Sequence, residues 1–196
     1  MGRMLATTAL AVGCLLIVGC AASGDAADRG LTEGNVWFNS KLPLEVLVCD
    51  GHGGIWTLGR TPAAEPLPIP KCRWWAVVPL KGVSLADVAA EGKVKGVRGL
   101  KLRDASNGDL AQLSGWVELQ TLDLSLSNIT DGGLVHLKGL KGLRTLILSN
   151  TKITDAGLAH LRELKGLRTL DLKLTDITSG GLAELRTALP NTTIHY

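Results

Sequence analysis

Cys49, Asp50 and His52 lie within four residues of one another, a thiol, a carboxylate and an imidazole that could act as nucleophile, orienting group and base. The run before them, "LEVLVC", reads as a strand, and neighbours along a strand point to opposite faces. The local grouping therefore supplies no triad geometry. The glycines of "DGHGG", Asp50 to Gly54, invite a phosphate cradle, but no GK[ST] follows them, and a hairpin turn between two strands accounts for them. His136 and His160 occupy one slot in successive stretches 24 residues apart. The next slot holds Glu184 and no third ligand recurs in register, so they read as solvated helix histidines and not as a metal site. Nothing in these groups points to an enzyme, a metal or a cofactor.

The rest of the chain must be read for what it would position. It has 196 residues, enough for one domain or a small pair, and 45% hydrophobic content excludes a disordered chain. A formal charge of +3, with Lys and Arg spread out and not interleaved with aromatics, argues against nucleic acid as a partner.

Residues 1–19 carry a positive Arg3 and then a short apolar run that leads into "IVGC", Ile17 to Cys20. This stretch resembles the bacterial lipobox, with Ile where Leu is commoner. The resemblance implies that Cys20 is acylated and becomes the mature N-terminus, anchoring an exported chain to a membrane. It also implies an outer-membrane, periplasmic or cell-surface place, because Ala21 stands where many inner-membrane lipoproteins carry Asp. Residues 20–30, small and polar, read as a flexible tether. In an exported chain the remaining Cys49 and Cys72 read as a disulfide, with two free thiols as the alternative.

Residues 31–80 hold short β-branched and aromatic runs, "NVWFN", "LEVLVC", "IWTLG" and "RWWAVV", separated by "DGHGG" and "TPAAEPLPIP". They predict a small β-rich unit containing four of the five Trp. Residues 81–196 have a different texture. Leu119, Leu143 and Leu167 are 24 apart, and Leu122, Leu146 and Leu170 keep the same step, as do Ile129, Ile153 and Ile177. "LRTLIL" alternates like a strand, whereas Leu158, Leu161 and Leu164 fall on one helical face, with Thr154 or Asp155 placed to cap its start. One strand and one helix cannot bury their apolar sides alone, so neighbouring copies must bury them for each other.

Copies written L-x-x-L-x-L-x-x-T-x-I-T-D-x-G-L-x-x-L resemble the leucine-rich-repeat family. Joined to the lipobox, they identify the chain as resembling a bacterial leucine-rich-repeat lipoprotein. The resemblance implies an α/β fold, a short right-handed solenoid with parallel strands on its concave side and helices on its convex side, preceded by the β-rich unit. "VRGLKLRDASNGDLAQLSGWVEL" fits a shorter first repeat, "VSLADVAAEGKV" a helix covering the open N-terminal edge, and "NTTIHY" a closing half-repeat. At the slot where the family most often places Asn, Ser127, Thr151 and Thr175 offer a hydroxyl to the backbone.

Function in this family resides on the outward strand positions, so the resemblance implies a protein partner bound there, with Arg98, Lys101, Asp123, Arg144, Ile147, Arg168 and Asp171 as the candidate binding residues. Arg144, Arg168, Asp123 and Asp171 are the expected charged anchors, and Leu126 and Leu174, just past their strands, are expected to add apolar contact. The same columns also suit a solvated strand face with a β-favouring Thr stripe, as in a purely structural envelope component.

Overall fold

The computed structural model describes residues 36–38, 40–49, 55–62, 67–69 and 74–196. The signal segment, the tether with Cys20, the Asp50–His52 group and Cys72 lie outside the described residues, as does the side chain of Cys49. The chain order is β1 (Val36–Phe38), β2 (Leu44–Cys49), β3 (Ile55–Thr61), β4 (Leu67–Ile69), β5 (Trp74–Pro79), α1 (Leu85–Val94), β6 (Gly99–Lys101), α2 (Asn107–Ala111) and β7 (Thr121–Asp123). Then come α3 (Asp131–Leu134), continued by a 3-10 turn over Val135–Gly139, β8 (Thr145–Ile147), α4 (Asp155–Leu161), β9 (Thr169–Asp171), α5 (Ser179–Ala188) and β10 (Thr193–His195).

The 24-residue step becomes strand register. Thr121 pairs with Thr145, Thr145 with Thr169 and Thr169 with Thr193, all parallel. Each strand contributes one leucine to a row through the core: Leu100, Leu122, Leu146 and Leu170 are paired in turn and fully buried. The helical slots answer from the other side with Leu134, Leu137, Leu158, Leu161, Leu182 and Leu185, all buried. Helices as short as α3 and α4 are not stable alone, so their order comes from this packing.

The sheet does not stop at the boundary expected after residue 80. β5 pairs parallel with β6 at Val77 and Leu100, β2 pairs antiparallel with β5, and β3 closes an eight-stranded order β10-β9-β8-β7-β6-β5-β2-β3. Val46 and Val77 extend the leucine row without a break. "VSLADVAAEGKV" does form a helix, α1, but β5 is what covers the edge of β6. The junction depends on Gly99, since a Cβ there would run into the Trp75 carbonyl. α1 instead packs on the helical side, where Gly92 lies flush against the ring of Trp116. Trp116 is fully buried and its indole N–H donates to the Val97 carbonyl at 3.2 Å. β1 and β4 form a separate two-stranded antiparallel pair. Among the described residues no helix is long and apolar enough to cross a membrane.

Candidate functional site

The outward strand positions are held by a polar ladder on the neighbouring edge of the array, where strands turn into helices. Asp131 accepts from the amide and hydroxyl of Thr154, one repeat later, at 2.8 and 2.7 Å. Asp155 does the same for Thr178 at 2.9 and 2.6 Å. In the shorter first repeat Asn107 takes the role, accepting from the Thr130 amide and donating to its hydroxyl. Two bonds per step, charge-assisted at Asp131 and Asp155, fix the spacing between repeats. The Thr178 hydroxyl and then its amide hold the Asp155 carboxyl below its ordinary value.

This ladder explains a glycine in each copy. A Cβ on Gly133, Gly157 or Gly181 would run into the side-chain oxygen of Asn107, Asp131 or Asp155 respectively. The sequence places Thr154 or Asp155 as the cap of its own helix, which is half of the arrangement. Thr154 does cap α4 by accepting from the Ala156 amide, but Asp155 reaches forward to the next repeat. The recurrence of Asp-x-Gly in step with Thr was the signal that could have revealed it.

The expected hydroxyl ladder is structural. Thr151 and Thr175 donate to the carbonyls of Leu148 and Leu172 within their own turns, at 2.6 and 2.5 Å, and Ser127 accepts from the Ala105 amide of the preceding repeat.

On the face itself, Thr121, Thr145 and Thr169 form a partly exposed row beside a second row of Lys101, Asp123, Ile147, Asp171 and His195. Much of the charge in the second row is already spent within the chain. Lys101 meets Asp123 at 2.5 Å, and the other carboxylate oxygen of Asp123 accepts from the Ser125 amide and hydroxyl. Asp171 is only 3% exposed and accepts from the Lys173 amide. Of the two carboxylates expected to anchor a partner, Asp123 is engaged by a neighbouring strand and Asp171 is covered in the chain itself. Further along the same sheet Glu45 stands between Arg60 and Arg103, at 3.7 and 3.5 Å, a cluster the sequence did not reveal because its members come from three distant segments.

The remaining candidates are accessible. Arg98, Arg144 and Arg168 are exposed at the starts of their strands, and Ile147 is partly exposed in the middle of the face. At the opposite ends of the strands Leu126 and Leu174 are 63% and 82% exposed. Both have left-handed backbone, φ 60° and 56°, in a slot filled by Asp104 and Asn150 in the other repeats. The face thus has a nearly neutral floor between a cationic rim and an apolar one. His136 and His160 lie partly buried on the helical side, away from it.

The model of the family described as leucine rich repeat matches residues 117–177, a little under a third of the chain. No curated protein matches the sequence. Among solved structures, the crystal structure of an internalin from Listeria monocytogenes aligns at TM-score 0.38 and 18% identity, covering 56% of this chain and 36% of the internalin. The chain accordingly spans about a third of that protein's length. The family match falls on β7, β8 and β9, the part of the chain that repeats one parallel strand and one helix every 24 residues, so residues 117–177 are similar to leucine-rich repeats.

Proposed function

We propose that this is a protein-binding module, not an enzyme, held at a membrane by a lipid on Cys20 and taking its partner on the outward face of β7 to β10. The observation that carries the reading is the pair Leu126 and Leu174. An L-residue in left-handed backbone costs roughly 1–2 kcal/mol, least for Asn and Asp. Two repeats place an exposed leucine where Asn150 and Asp104 show the cheaper solution. A large apolar side chain held in an unfavourable conformation against water is the arrangement expected of a contact made with something else.

The substitutions Thr145→Arg and Ile147→Glu together block the floor of the face without touching the core row. In-cell crosslinking capture should then lose the native partner at least ten-fold while the unfolding temperature stays unchanged. Equal capture by both chains contradicts the face as the site. The anchor is tested separately: Cys20→Ala should move the chain from the membrane fraction to the soluble one, and an unchanged membrane fraction would refute lipidation at that residue.

A further inference from the structure

We infer that the edge of the array where helices turn into strands is the side that lies against an anionic membrane surface; this rests on Cys20 being the lipid anchor. Two independent features meet at that edge. The first is where the N-terminal segment enters the fold. Phe38 packs on Trp75 with ring centroids 5.1 Å apart, Lys95 lies 5.8 Å over the Phe38 ring, and the Ser40 hydroxyl donates to Glu91 at 2.7 Å. Lys95 is the first residue after α1 on the way to β6, so Phe38, among the first described residues, packs at a helix-to-strand connection. Phe38 comes only eighteen positions after Cys20, and a chain of that length spans at most about 60 Å even when fully extended.

The second feature is charge. The same connections carry exposed Arg98, Lys141, Arg144, Lys165 and Arg168. Glu118 and Glu163 are the acidic residues among them, and Glu163 is engaged by Lys138, whose hydrogen bond and charge hold its carboxyl below its ordinary value. The strand-to-helix edge on the other side sets Asp104, Asp131, Asp155 and Asp176 against Arg103, Lys152 and Lys173, and so lacks the basic excess of the first edge. The charge is thus polarised across the width of the sheet, with the basic side at the edge where Phe38 packs. Basic groups within a Debye length of anionic headgroups each strengthen association roughly five-fold, a gain that salt removes. A tethered body with this polarity turns its basic edge to the bilayer and leaves the outward strand face open sideways to a partner.

The test is acetylation of lysines in the full lipid-bearing chain reconstituted into vesicles, read by mass spectrometry. Lys141 on the basic edge and Lys152 on the opposite edge are both exposed and serve as paired reporters. In vesicles containing phosphatidylglycerol, Lys141 should be modified several-fold more slowly than in pure phosphatidylcholine, with Lys152 unchanged and the protection lost in 1 M salt. Equal rates for Lys141 in the two vesicles, with an acyl mass present on the Cys20 peptide, would overturn the orientation alone. Absence of that acyl mass would overturn the anchor and the orientation with it.

Discussion

Gly157→Ala lowers stability by about 3 kcal/mol, seen as a fall of roughly 10 °C in the unfolding midpoint. Helix propensity alone predicts the reverse, because alanine is favoured over glycine in a helix by about 1 kcal/mol. The ladder decides the sign. The added methyl would overlap the Asp131 carboxylate and press on Leu134, and that carboxylate is what binds the Thr154 amide and hydroxyl. Overpacking contributes about 1–3 kcal/mol and weakened bonds to a charged group about 1.5–3, which together outweigh the helical gain. Gly180→Ala is the control, since its nearest neighbour would be the Thr178 hydroxyl at 3.5 Å and the site is exposed. It should be neutral or stabilising. A raised midpoint for Gly157→Ala would show that the inter-repeat ladder does not constrain the array.

Trp116→Ala should cost about 3–5 kcal/mol, the range for removing a large buried aromatic. The ring is fully buried between α1 and the first repeat, Gly92 rests against it, and its loss leaves the Val97 carbonyl without the indole donor. A stack of repeats couples chiefly to nearest neighbours, so the damage should be graded along the chain. Hydrogen exchange should accelerate most in α1, β6 and α2 and least in α5 and β10. Uniform acceleration would mean that the array unfolds as a single unit, and an effect below 1 kcal/mol would mean that Trp116 is not the wedge between α1 and the repeats.

The repeats were legible because their signal is local and redundant. Leu122, Leu146 and Leu170 announce the strand row, and Leu134, Leu158 and Leu182 announce the helices, without any knowledge of the fold. The exposed positions of Leu126 and Leu174 also followed from counting past each strand. The ladder was not legible in full because Thr and Asp at a helix start suit a cap equally well, and only three-dimensional stacking brings Asp155 to Thr178, 23 residues on. Likewise, two carboxylates in the outward row look alike in sequence. Lys101 engages one, whereas the other is buried beside β10, and both facts depend on which strand lies next to which. The union of the N-terminal strands with the repeat sheet was invisible for the same reason, since a single parallel pairing of Val77 with Leu100 makes it and no periodicity crosses that point.

A photo-crosslinking amino acid placed at single positions separates the strand face from the helical side as the place where the partner sits. Position 147 reports the floor of the face and position 159, an exposed alanine of α4, reports the helical side. One partner protein should be crosslinked from position 147 and not from 159. The same partner captured from 159 and not from 147 would contradict the strand face as its site.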